Sequence, residues 1–352
     1  MNERLRYGLV GCGEIAVHTS KAILNSQASC VVHCMDIRGE LAEDLAAKHG
    51  AKAATRLEDL LGDEQVQAVI ISTPHYLHAP LAIQAAQAGK HVISEKPMAC
   101  TLAEADAMIE AADKAGVKLG ILLPQRLGFH VQKARELVRG GAVGRVLAFQ
   151  FHSMSAKPES YWHGGYTGRA KDDWRMYLEK SAGGILIMNM VHNLDSFVCI
   201  LDPAPQRIYA EHSTLATKVE VEDYLSMVMR LKDGAIVSLD ASSAAPGKES
   251  HGDRVYGEKG QIDLGRNVFR VFLTEPWADL KAGEWLEIAK PPTWPDTRTE
   301  YVDRFAQAVL TGGEPPVSGR EGRRSLEIIR GAYLSMKRGR PVKFPVRERP
   351  EA

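Results

Sequence analysis

Apolar runs of strand length alternate with helical stretches through the first third of the chain. Residues 5–10 read as a buried strand, and beyond Gly11-Cys12-Gly13 a 3.6-residue pattern continues to about Leu24. Residues 30–35 form a second run before a helix over 40–49, and 66–72 a third, closed by Thr73-Pro74. A helix over 80–88 leads through Gly89 to the run that starts at His91, and a helix over 102–115 precedes a strand over 117–123. This βαβα series predicts a parallel, doubly wound sheet, the α/β Rossmann arrangement. After a helix over 131–139, stopped by Gly140-Gly141, the texture changes. Phe149-Gln150-Phe151-His152 has the two-residue period of a half-buried strand. Further runs at 207–212, 224–231, 235–241, 261–264 and 268–273, with turns at 232–234 and 258–260, predict one large, mainly antiparallel open sheet in an α+β second half. Its face must be covered by helices or another subunit, so a homodimer or homotetramer is expected.

The chain has 352 residues, which fits two domains, drawn here as 1–125 and 126–352. Lys plus Arg and Asp plus Glu are 44 each, so no global field draws nucleic acid or an acidic membrane. The five cysteines are scattered without a CxxC pair, which suits core thiols in a reducing compartment and gives no metal-ligand spacing. No run approaches the roughly 18 apolar residues of a membrane span, and the first is too short for a signal segment. The expectation is a cytoplasmic protein with no nucleic-acid, membrane or metal partner.

Gly11-Cys12-Gly13-Glu14-Ile15-Ala16 is a GxGxxA motif between strand and helix. Alone it could be an ordinary glycine turn. Here the first glycine permits the tight turn, the second lets backbone approach a pyrophosphate, and Ala16 lets helix and strand pack closely. The helix N-terminus then faces the phosphates with free N–H groups. Asp36, twenty residues beyond Ala16, stands where a dinucleotide fold places the acid that holds the ribose hydroxyls. It favours NAD over NADP, although Arg38 nearby could accommodate a 2′-phosphate. Thr73 and Pro74 follow a strand at its ligand-collecting end and join the cofactor candidates, as do Glu95, Lys96 and Gln125, while His78, in the loop just beyond, is either structural or a cofactor neighbour.

In His91-Val92-Ile93-Ser94-Glu95-Lys96-Pro97 a lysine ends an apolar strand just before a proline. Read alone it is a surface lysine with its ammonium in water. Downstream, residues 155–182 make an unusually long connection carrying Tyr161, Trp162, His163, Tyr166, Arg169, Trp174, Arg175 and Tyr177. It reads either as an ordered surface loop or subunit contact, or as a substrate wall. In the second case Tyr161, Trp162 and Trp174 offer faces to a sugar, and Arg169 and Arg175, with Arg126, hold hydroxyls or an anion. Gly183-Gly184 then releases a helix to Leu201 on which Asn189, His192, Asp195 and Ser196 share a polar face. Asn189 and His192 are the substrate candidates there.

The GxGxxA motif, Glu95-Lys96-Pro97 and the Gly-Gly-led helix with His192, in that order, resemble the glucose-fructose oxidoreductase / inositol dehydrogenase / MocA (Gfo/Idh/MocA) family of NAD(P)-dependent oxidoreductases. The likeness covers nearly the whole chain, including the tail Val317-Ser318-Gly319 and Gly339-Arg340-Pro341-Val342. It implies that Lys96 is the catalytic lysine and His192 its partner in proton transfer, on a secondary hydroxyl of a sugar or polyol. It also implies an NAD(P)-binding first domain and a second domain that binds substrate and supports dimers or tetramers. The chain departs from the family pattern at Met188, where an Asp is usual, so more acid–base work falls on Lys96. Two rival readings are a redox-neutral NAD-dependent glycosidase or lyase and a cofactor-sensing regulator.

Overall fold

The computed structural model describes residues 4–247, 252–265 and 268–348. The chain forms two compact units, one of Met1–Pro124, Pro158–Ala182 and Pro295–Leu326, the other of Gln125–Lys157, Gly183–Trp294 and Glu327–Ala352. Two segments beyond residue 126, 158–182 and 295–326, thus pack with the first half of the chain. A division read along the sequence alone could not place them there.

In the first unit, β1 (Leu5–Val10), β2 (Ser29–Met35), β3 (Lys52–Ala54), β4 (Ala68–Ile71), β5 (His91–Glu95) and β6 (Leu119–Leu122) form a parallel sheet of order β3-β2-β1-β4-β5-β6. Helices α1 (Glu14–Asn25), α2 (Gly39–His49), α3 (Leu57–Leu61), α4 (His78–Gln87) and α5 (Leu102–Ala115) connect the strands. Every residue of β4 is buried, as expected for a strand covered on both faces. The order reverses between β1 and β4, which opens a crevice at the strands' carboxyl ends. Gly11, Thr73 and Lys96 all follow those ends. The 295–326 segment supplies the helix Thr297–Thr311, N-capped by the Asp296 carboxylate, which accepts from Thr299 N at 2.9 Å. Its Tyr301 donates to Ile121 O at 2.7 Å and so fastens the helix to β6.

The second unit contains β7 (Val146–Met154), β8 (Pro205–Ser213), β9 (Tyr224–Leu231), β10 (Ile236–Ser242), β11 (Arg254–Gly257), β12 (Gly260–Asp263), β13 (Phe269–Leu273), β14 (Trp285–Ile288) and β15 (Val342–Lys343). They form one sheet of order β14-β13-β12-β11-β7-β10-β9-β8-β15, antiparallel except for the β7–β10 pair. The alternation in β7 has its physical counterpart here. Phe149 and Phe151 stack at 4.6 Å and meet Phe197 of the helix Val191–Leu201 edge-on at 5.2 and 5.8 Å. Tyr209, Val228 and Ile236 remain exposed.

One expectation needs correcting. The helical stretch Leu178–Leu201 is long and apolar enough by composition to cross a membrane, but 78% of its most apolar window is buried inside the protein. Burial on that scale is the mark of a core helix.

Candidate active site

Between β1 and α1 the glycine turn is dictated by crowding. Gly11 has φ +86°, and a Cβ there would lie 2.8 Å from Ser72 O and 2.9 Å from Thr73 Cγ2. Gly11→Ala is therefore expected to cost about 1–3 kcal/mol of stability and to weaken dinucleotide binding, read by thermal melting and titration with NADH. Ala16 is fully buried. Asp36 follows β2, and its Oδ2 accepts from Cys12 N at 2.7 Å while Oδ1 accepts from Arg38 N at 2.9 Å. The sheet thereby ties the acid to the turn. Three buried polar atoms around this turn have no hydrogen-bond partner: Ser72 Oγ, Thr73 Oγ1 and Arg38 Nε. The nearest carboxylate oxygen to Arg38 Nε is Asp36 Oδ1, at 4.0 Å. Buried orphans are costly unless something satisfies them, and a ribose–pyrophosphate offers both donors and acceptors. The donor set and the open glycine turn thus fit a dinucleotide, with Asp36 at the ribose.

Lys96 follows β5 and is half-buried. The flanking groups hold its turn. Glu95 is buried and accepts from Arg298 Nη1 at 2.7 Å, and that same nitrogen donates to Thr19 Oγ1 at 2.6 Å. His78 is buried with its ring nitrogens 2.7 Å from Pro97 O and 2.9 Å from Thr73 O, a pin between two loops. Burial lowers its pKa, opposed by those two carbonyls. Glu95, expected at the cofactor, thus spends its side chain on the protein, and His78 takes the structural one of its two readings. Pro74 leads into the one-turn helix His75–Leu77.

His75, the next residue, is buried. Its Nδ1 lies 2.8 Å from Ser181 O and so carries the proton, which leaves Nε2 as acceptor. Its ring packs 4.4 Å from Trp174. Burial, then the charges of His78 and Lys96, hold its pKa well below the usual histidine value.

The 158–182 segment, read as an ordered loop or as a substrate wall, turns several of its aromatic rings inward. Tyr161, Trp162 and Trp174 are all buried within it, and Arg175 lies over the Tyr161 and Trp174 rings at 5.0 and 4.6 Å. Trp162, at 2% exposure, is core and offers no face to a ligand. Arg169 is not a free substrate clamp either. Its Nε donates to Cys12 O at 3.0 Å and its Nη2 pairs with Asp44 Oδ2 at 2.7 Å. The Glu14 carboxylate points into the same segment and accepts from Tyr166 N at 2.9 Å and Thr167 N at 3.1 Å. Ile15, the next residue, continues α1.

In the second unit Gly183-Gly184 is needed because neighbours fill the space. A Cβ on Gly183 would strike Tyr333 Oη, and one on Gly184 would strike Glu222 O. Glu222 is buried, which raises its pKa, and its carboxylate accepts from Gly184 N at 2.7 Å, Leu186 N at 3.0 Å and Tyr333 Oη at 2.8 Å. It caps the helical stretch that carries His192. That stretch opens with a π-helical turn, Leu186–Met190, before Val191–Leu201. Met188 is buried, whereas Asn189 and His192 are half-exposed. The polar face is narrower than expected. Asp195 (1% exposed) turns inward to a bidentate pair with Arg126 (6%), Nε–Oδ2 3.1 Å and Nη2–Oδ1 2.6 Å. Ser196 Oγ donates to His192 O at 2.9 Å. Arg126, expected to bind substrate, is thus a buried counter-ion. Gln125 beside it is exposed, and its carbonyl accepts from Gly128 N at 2.9 Å. Among the described residues no group of three His, Cys, Asp or Glu could hold a metal ion.

Residues 5–122 match the oxidoreductase family with an NAD-binding Rossmann fold, GFO_IDH_MocA, and residues 131–263 match the GFO/IDH/MocA C-terminal domain. A 1,5-anhydro-D-fructose reductase from Ensifer adhaerens is 31% identical over 266 residues, 75% of this chain and 76% of that protein. A myo-inositol 2-dehydrogenase from Thermotoga maritima is 27% identical over 347 residues, 97% of this chain and 98% of that one. Among solved structures, the WlbA dehydrogenase from Bordetella pertussis, in complex with NADH and UDP-GlcNAcA, superposes with a TM-score of 0.84 at 28% identity, covering 98% of this chain and 100% of that one. Both halves of the chain, together with the glycine turn, Asp36 and the Lys96 turn, place it in the Gfo/Idh/MocA family of NAD-binding Rossmann oxidoreductases.

Proposed function

We propose that this protein is an NAD-dependent dehydrogenase that oxidises a secondary hydroxyl of a sugar or polyol. The observation that carries the reading is the pair of groups at the carboxyl ends of the parallel strands: Asp36, after β2, tied to the glycine turn, and Lys96, after β5, in a turn held by the Glu95–Arg298 pair and by His78 on Pro97 O. The relatives named as a reductase and dehydrogenases of sugar compounds support the substrate class.

A bound nicotinamide would supply the hydride acceptor. Asp36 would accept from the ribose hydroxyls, and the N–H groups at the start of α1 would face the phosphates. Lys96, as the free amine, takes the hydroxyl proton. As the ammonium, it donates to the oxygen on which negative charge develops. His192 is its proposed partner in proton transfer, and Asn189 a donor or acceptor for a neighbouring substrate hydroxyl. Because position 188 holds a buried methionine, no carboxylate stands one turn before His192 to raise its basicity, which leaves Lys96 the principal base.

The product should be a ketone two hydrogens lighter than the substrate, formed one for one with reduced nicotinamide. Mass spectrometry of reaction mixtures checks this, and turnover of a sugar with no net reduction would overturn it. Asp36→Ala should weaken NAD binding roughly tenfold or more while affecting NADP less, because a carboxylate accepts from a 2′-hydroxyl and repels a 2′-phosphate. Titration with both cofactors checks this, and an unchanged preference would move ribose recognition elsewhere.

A further inference from the structure

We infer that Arg169 is a dinucleotide-phosphate residue, and that the turn over residues 164–169 forms the second half of the phosphate site, facing the glycine turn at 11–13. The inference rests on the dinucleotide reading of the first unit and not on the identity of the substrate.

Gly-Gly-Tyr-Thr-Gly-Arg, residues 164–169, is a second glycine-rich turn, with Gly164, Gly165 and Gly168 all at positive φ. Contacts fix its position against the first turn and the elements beside it. Glu14, the first residue of α1, accepts the N–H groups of Tyr166 and Thr167. Arg169 Nε donates to Cys12 O at 3.0 Å, and its Nη2 pairs with Asp44 Oδ2 at 2.7 Å. Ala170 Cβ would lie 3.4 Å from a Cβ on Gly13. Arg38 Nη1 donates to Lys171 O at 3.2 Å, so the segment also reaches the loop of Asp36.

The contact of Gly165 with Glu14 explains the glycine. A Cβ at 165 would run into Glu14 Oε2, so any other residue would have to displace that carboxylate while holding a φ of +82° that glycine adopts without strain. The direction of the Glu14 carboxylate matters as much. At the N-terminus of α1 a free carboxylate would compete with a phosphate for the same N–H groups. Turned into the 164–169 backbone, it leaves those groups to the ligand. Arg169 meanwhile brings its guanidinium to the carbonyl of Cys12, inside the turn; Cys12 O, Leu41 O and Asp44 hold Nε and Nη2 and fix the plane of the fork, which leaves Nη1 for a phosphate oxygen. On this geometry Arg169 moves from the substrate side, where its sequence position had put it, to the cofactor side.

The test compares two ligands and two variants of the full chain by competition with NADH fluorescence. ADP-ribose carries the pyrophosphate and both riboses, and adenosine carries neither phosphate. In Arg169→Ala the dissociation constant for ADP-ribose is expected to rise about 10–100-fold with that for adenosine within twofold of the wild-type value. Arg169→Lys, which keeps the charge but not the fork, should recover part of the loss. An ADP-ribose affinity unchanged in Arg169→Ala would overturn the inference. So would an equal loss for both ligands with a lowered melting temperature, since that is what a merely structural arginine would give. None of these readouts needs a sugar or turnover, so failure here is distinct from failure of the dehydrogenase reading, which activity of the wild-type protein decides.

Discussion

Lys96→Met is expected to lower kcat by roughly 10² or more while NADH affinity and melting temperature stay near the wild-type values. Methionine matches the length of the lysine stem but neither takes a proton nor donates to an oxygen carrying charge. The turn itself does not hang on the lysine head. Glu95 is held by Arg298, and Pro97 O is held by His78, so the strand end and its loop persist when the ammonium is gone. Steady-state kinetics with saturating NAD, beside a titration and a melt, separates the two effects. Near-normal turnover would remove Lys96 from the chemistry. A collapse of cofactor binding would mean that it serves the fold instead.

The second large effect lies in the other unit. Arg126→Met should destabilise the protein by about 3–5 kcal/mol, because it strands the Asp195 carboxylate in the interior without its counter-ion. The double variant Arg126→Met with Asp195→Leu should recover most of that loss, since removing both charges also removes their desolvation cost. Urea unfolding of the single and double variants measures this. If the arginine instead served mainly as a substrate ligand, the single variant would keep its stability and lose only substrate affinity.

The parallel sheet, the cofactor turn and the open antiparallel sheet were legible because each rests on local pattern: continuous apolar runs for buried strands, alternation for half-covered ones, and a strand–glycine–helix junction. What escaped were pairings between residues far apart in sequence. Arg126 and Arg169 are both arginines in irregular stretches near motif residues, and nothing local says that one meets Asp195 and the other Cys12 O. The same holds for Glu222, which lies in an unremarkable segment yet caps the helical stretch of His192 from 36 residues away through Leu186 N. Trp162 shows why the aromatic residues of the long connection left two readings open, an ordered loop and a substrate wall: only the fold shows that the segment buries this ring against Tyr161. The fate of 158–182 and 295–326 was hidden for the same reason. Which unit a connection packs on is decided by side chains it meets there, such as Tyr301 at Ile121 O.

The measurement that bears most directly on the central claim is the absorbance of reduced nicotinamide as purified protein and NAD are mixed with a panel of sugars, inositols and sugar acids, with Lys96→Met as the control. The account expects absorbance to rise with at least one secondary alcohol and to stay flat in the variant. Silence across the panel from folded protein that binds NADH, or a rise equal in the variant, would contradict it.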